Sequence, residues 1–261
     1  MKIIKKLFLL LLIIAIIAVG CIAWILYGRI TSNPYNYKTI GEIPTPYGYE
    51  RFCGDNPSYS EYLRSLPLKG RGADVKLYTG SKARFQSLNY AVVNLPIISN
   101  AEQCADVCMR LRAEYLYNKG RFSDIHFLDV QGNTLSYNGG KTRDAFEKYL
   151  RKVFNVANTY SLCQEMKPRP LTEIQPGDVF VYPANSQRYG HAVMVADVAH
   201  NPETGSNAVV LVEGFMPARS IHVLRNWDDS HNSPWFILDE TSDYQTFSLF
   251  QFNVTDLKCF Q

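Results

Sequence analysis

A thiol and an imidazole are the side chains here best suited to nucleophilic chemistry. The sequence sets each of them where an element begins. Cys104 follows Gln103 near the start of an amphipathic helix, and His191 follows Gly190 and opens the apolar run Ala192-Val193-Met194-Val195. A thiol attacks as its thiolate, a form that a helix N-terminus and a nearby imidazole both favour. An imidazole at the edge of an apolar sheet is held by packing yet can be reached, as a proton-transfer group must be. Together they could carry acyl transfer, with Cys104 as nucleophile and His191 as base and then acid. A third polar group has to orient the ring through its other nitrogen. Glu213, ending the strand-like run from Ala208, is the candidate, and His222 is a further one. Asp197 shares strand parity with His191, but at about 3.3 Å per residue it lies ~20 Å along the strand. Gln103 or a backbone N–H at the helix start would donate to an oxyanion.

Each of these residues also has a plainer reading. Cys104 shares the helix's apolar face with Val107, Cys108, Leu111 and Tyr115, where a cysteine serves as a small core residue. His191 can be a structural hydrogen-bonding group, and Glu213, before Gly214, a turn carboxylate.

The elements that must position these groups follow from periodicity. Ser99 with Glu102 three residues later is a capping-box pattern, so the helix is expected to start near residue 100 and to hold Cys104 in its second turn. Asp106, Arg110 and Glu114 would form a charged ladder on its other face, and Asn118-Lys119-Gly120 would end it. Gln175-Pro176-Gly177-Asp178-Val179-Phe180-Val181-Tyr182, a polar loop and the His191 run make a hairpin pattern. Further helices are expected over Ser58 to Leu66 and Thr142 to Val156. Strands are expected at Asp74 to Tyr78, Ala91 to Leu95, Asp124 to Val130, Ile221 to Leu224 and, last, Phe247 to Phe252, with a loop over Gly132 to Gly140. Helices early and an antiparallel sheet late give an α+β class.

The N-terminus argues for a membrane. Lys2, Lys5 and Lys6 precede an uncharged apolar run from Leu7 to Tyr27. That is long enough for a hydrocarbon core of about 30 Å. The lysines on one side, against Arg29 on the other, put residues 1–6 in the cytoplasm and the rest outside, with Trp24 and Tyr27 at the interface. Ala18-Val19-Gly20-Cys21 also reads as a lipoprotein box, so acylation of Cys21 is the alternative to an uncleaved inner-membrane anchor. Residues 28–48, rich in Pro, Gly and Tyr, read as an extended linker, and 49–261 as a single extracytoplasmic domain. The net charge is +3 and three lysines lie before the apolar run, so the domain is near neutral and no nucleic-acid partner is expected. Six cysteines leave an odd number beyond Cys21. Two disulfides among Cys53, Cys108, Cys163 and Cys259 with one free nucleophile would fit, as would free thiols throughout. No Cys/His spacing supports a metal site, and no cofactor is called for.

From Gly48 onward the chain resembles an uncharacterised bacterial envelope domain family, a domain of unknown function common in lipoproteins and membrane-anchored proteins. The resemblance rests on Tyr62-Leu63-Arg64-Ser65-Leu66-Pro67-Leu68, Gln103-Cys104-Ala105-Asp106, Arg110-Leu111-Arg112-Ala113-Glu114-Tyr115-Leu116 and Gly177-Asp178-Val179-Phe180. It continues in Gly190-His191-Ala192-Val193-Met194-Val195, Met216-Pro217-Ala218, Ile221-His222-Val223-Leu224 and Ser233-Pro234-Trp235. It brings no established activity. A second resemblance, to papain-like cell-wall cysteine peptidases, rests on Cys104, Gly177-Asp178 and His191 in that order. It implies helices packed on an antiparallel sheet and hydrolysis of amide bonds in cell-wall peptides. Those enzymes carry the cysteine in the first helical turn, which the expected cap does not allow here. The alternative is a catalytically inactive module of the same fold, binding a peptidoglycan fragment or a partner protein.

Overall fold

The run that His191 opens is the middle of the sheet. A computed structural model describes the backbone of residues 2–261, and their side chains except at 2–5, 7 and 23–30. In chain order the helices are α1 (Lys2–Ile30), α2 (Pro57–Arg64), α3 (Cys104–Asn118), α4 (Arg143–Val156) and α5 (Thr159–Glu165). The strands are β1 (Glu50–Phe52), β2 (Asn89–Val92), β3 (His126–Leu128), β4 (Thr134–Ser136), β5 (Lys167–Pro168), β6 (Val179–Tyr182) and β7 (His191–His200). They continue with β8 (Asn207–Glu213), β9 (His222–Leu224), β10 (Phe236–Ile237), β11 (Tyr244–Phe247), β12 (Phe250–Asn253) and β13 (Leu257–Cys259). The class is α+β. Nine strands form an antiparallel sheet in the order β2-β9-β8-β7-β6-β13-β5, with β1 added to β7 and β10 to β8.

Strands β6, β7 and β8 are near-continuous apolar runs because both of their faces are covered. On one face Ala192, Met194 and Ala196 pack in a cluster with Val107 and Leu111 of α3, Leu150 of α4 and Leu162 of α5. On the other, Val193, Val195 and Val198 pack with Phe180, Phe247, Phe252 and Leu257, under the β11–β12 hairpin. A bulge between Val195 and Asp197 resets the alternation. There the fully buried Asp197 carboxylate accepts from the guanidinium groups of Arg51 in β1 (2.8 Å) and Arg64 in α2 (2.6 Å). One buried charge thus fixes two elements, β1 and α2, to the central strand.

Several expectations need correction. The charged ladder of α3 is buried, not solvated. Arg110 is held between Glu102 and Glu114, and Arg143 of α4 grips Glu114 through both terminal nitrogens at 2.6 and 2.7 Å. Residues 32–48, expected to be an extended linker, pack on the domain and bury Ile40 and Ile43. The expected loop over 132–140 contains β4, which pairs with β3. The run Phe247 to Phe252 is the turn region of a hairpin, and the last strand is β13. Among the described residues no helix is long and apolar enough to cross a membrane, so the transmembrane reading of Leu7 to Tyr27 has no support from them. The side chains at 7 and 23–27 lie outside the described residues.

Asp197→Ala should lower the unfolding free energy by about 3 kcal/mol, because removing one partner of a buried ion pair strands the others. Urea denaturation measures this, and a loss under about 1 kcal/mol would contradict the role given to Asp197.

Candidate functional site

Helix α3 begins at Cys104, four residues later than its capping-box pattern suggests, and the reason is tertiary. The Glu102 carboxylate accepts from the Ile98 N–H (2.6 Å) and from Arg110. Ser99 Oγ accepts from the Ala101 N–H (3.1 Å), closing a separate turn. Gln103 is extended, and its N–H donates to Asp106 Oδ2 at 2.9 Å. The first helical bond runs from the Val107 N–H to the Gln103 carbonyl at 3.0 Å. Cys104 is therefore the first helical residue, where the positive end of the helix dipole acts on the sulfur. Burial raises the Asp106 carboxyl to about 8, against the lowering effect of the Gln103 amide.

The strand exit beside this helix start is shaped to approach it. A Cβ on Gly214 would sit 2.6 Å from Val107 Cγ2 and 3.0 Å from the Gln103 carbonyl oxygen, so only glycine lets the end of β8 come this close. His191 opens β7 opposite Tyr182, Glu213 ends β8, and His222 opens β9 directly opposite Glu213. Three neighbouring strand ends thus place two imidazoles and one carboxylate together.

Glu213 joins the two rings. Its Oε2 lies 2.9 Å from His191 Nε2, and its Oε1 lies 3.3 Å from His222 Nε2. His222 Nδ1 faces the Ser220 carbonyl at 3.1 Å, so that nitrogen is a donor. Burial alone would raise the Glu213 carboxyl. The hydrogen bonds and charges of His191 and His222 outweigh it and hold the group at about 2. For His191, burial works against the charged ring. The neighbouring Cys104 and the hydrogen-bonded Glu213 outweigh it and raise the ring to about 9. With Nε2 turned to Glu213, Nδ1 is the nitrogen left for the thiol.

The sequence candidates His191 and Glu213 are thus hydrogen-bonded, and Cys104 lies near enough to favour the charged ring, with the half-buried Gln103 preceding it in the chain. Cys104 keeps 6% of its surface open, whereas Cys108, one turn on, is sealed and its thiol is pushed well up by burial. All six cysteines are free. Phe250 from the β11–β12 hairpin stacks on the His191 ring with centroids 3.9 Å apart, and Phe215 stands at 5.6 Å. A pocket of about 90 Å³ opens on the far side of Glu213, lined also by His222, Phe215, Arg219 and Phe250. Cys104 and His191 do not line it. Arg219 lies 4.7 Å over the Phe215 ring and is half-buried there. The close approach at Gly214 and the stacking of Phe250 on the imidazole do not follow from the sequence readings of those residues as a turn and a strand. The glycine directly after Glu213 was the available signal for a close backbone approach. Among the described residues no group of three His, Cys, Asp or Glu side chains is arranged to hold a metal.

A family profile described as a domain of unknown function (4846) matches residues 40–142 and 138–259. The chain belongs to that family. No curated protein and no solved structure matches it.

The raised His191 sets a pH dependence. Its contribution to stability is fully present below the ordinary imidazole value of about 6.5 and is lost as pH rises through about 9. Chemical denaturation across that window should show wild type losing stability relative to His191→Gln. A constant difference between the two from pH 6 to 10 would contradict the pairing.

Proposed function

We propose that this member of the domain of unknown function 4846 family is a thiol hydrolase of papain-like type, acting on amide bonds of cell-wall peptides. The observation that carries the reading is the His191–Glu213 pair with Cys104 close to the ring, the sulfur on the first residue of a buried helix. Moving the thiol proton to His191 Nδ1 gives a thiolate and an imidazolium, and Glu213 fixes the ring through Nε2. The thiolate attacks the carbonyl carbon. The oxygen that gains charge would be met by the Cys104 and Ala105 amides, which precede the first helical bond, and by the Gln103 side chain. The imidazolium gives its proton to the departing amine, leaving a thioester. Water then gives a proton to Nδ1 and releases the acid, restoring the thiol.

A wall substrate goes with the location we propose. The described side chains of α1, from Phe8 to Ile22, are apolar and open to solvent at every large residue. We read them as part of an inner-membrane anchor that holds the domain outside the cytoplasm, with acylation of the exposed Cys21 as the alternative. One observation favours the second reading, an inactive module binding a wall fragment or partner protein. Phe250 lies over His191 and little of the sulfur is open.

The test is hydrolysis of purified stem-peptide muropeptides by the full-length protein, read by mass spectrometry. Cys104→Ala and His191→Ala should each remove roughly a thousandfold or more of the rate, and Glu213→Gln less, with the melting temperature of Cys104→Ala unchanged. Undiminished cleavage by Cys104→Ala would end the proposal.

A further inference from the structure

A second, larger cleft lies apart from the thiol. Its volume is about 800 Å³, within the range of small-molecule sites, and it runs between the segment after α1 and the loop after β9. Cys104, His191 and Glu213 do not line it, so a ligand held there would bind whether or not the thiol is catalytic. At its base is Arg225, 5% exposed. Its guanidinium donates to the Thr31 carbonyl at 2.8 Å and to the Asn89 carbonyl at 3.0 Å, and it lies between Tyr90 (5.5 Å) and Trp227 (5.7 Å). Among the described residues no carboxylate stands within ion-pair distance of it, and no Asp or Glu lines the cleft. Burial lowers Arg225 to about 10, the mark of a desolvated charge without a counter-ion. Arg71 adds a second cation to the lining.

The walls are aromatic faces. The Trp227 indole N–H donates inward to the Ser87 carbonyl at 3.1 Å, yet the residue stays 39% exposed, so its face is turned outward. Tyr35 is also largely exposed at the rim. Exposed ring faces suit the C–H faces of sugar rings, and a buried uncompensated guanidinium suits an oxyanion. We propose that this cleft binds an anionic saccharide of about two rings, with its carboxylate or phosphate on Arg225 and Arg71 and its sugar faces on Trp227 and Tyr35.

Tryptophan fluorescence of the full-length protein tests this. The probes are the disaccharide of N-acetylglucosamine and N-acetylmuramic acid, its neutral counterpart chitobiose, a sugar phosphate (glucose 1-phosphate) and inorganic phosphate. Arg225 also ties two backbone carbonyls, so the exposed pair Trp227→Ala and Arg71→Ala carries the test. An anionic sugar should give a saturable change at least about tenfold tighter than chitobiose. Trp227→Ala and Arg71→Ala should each weaken it several-fold without changing the melting temperature, while Cys104→Ala leaves it intact. Preference for the muramic disaccharide over glucose 1-phosphate would identify a carboxylate ligand, and the reverse a phosphate ligand; either supports the proposal. No saturable change with any probe, equal binding of chitobiose, or full competition by inorganic phosphate at equal concentration would overturn it.

Discussion

Everything at the candidate site depends on how a buried carboxylate is neutralised. Glu213 ends a strand sealed on both faces, where an unpaired charge would be prohibitive. Two imidazoles from the adjacent strand ends meet it, at 2.9 and 3.3 Å. Once His191 is committed to Glu213 through Nε2, Nδ1 is the nitrogen that remains for the nearby Cys104. The orientation comes from register in the antiparallel sheet. A slip of one residue between β7 and β8 would turn these side chains to the opposite face.

The thiol reaches that imidazole through a second set of constraints. Glu102 is drawn to the buried Arg110, which Glu114 links to the exposed Arg143, so the chain before α3 forms a turn and the helix begins at Cys104 itself. Gly214 lets the end of β8 approach that helix start. Packing that serves stability and geometry that serves chemistry therefore share the same few residues. The Phe250 roof belongs to a hairpin whose turn projects Leu249 into solvent, so access to the ring is governed by a peripheral element rather than by the core.

Much of this is legible in the residues. Cys104 at a helix start, His191 at a strand start and Glu213 at a strand end are local signals, and the α+β class follows from the order of periodicities. The helix boundary is not legible. Ser99 and Glu102 have the form of a capping box, and only a partner eight residues on, Arg110, diverts the carboxylate. The burial of the charged ladder on α3 is hidden for the same reason, since Arg143 lies on another helix. The segment 32–48 has the composition of a linker, and its two buried isoleucines give too faint a pattern to reveal that it packs. The aromatic cleft is assembled from pieces nearly two hundred residues apart in sequence, which no window along the chain can join.

The central claim is a working contact between the Cys104 sulfur and the His191 ring, and alkylation of the native full-length protein by iodoacetamide at pH 6 reads it directly. Cys53 is exposed and serves as an internal reference thiol. Peptide mapping should find Cys104 modified about tenfold faster than Cys53, and His191→Ala should abolish that advantage. A Cys104 that reacts more slowly than Cys53, or only once the protein unfolds, would contradict the account.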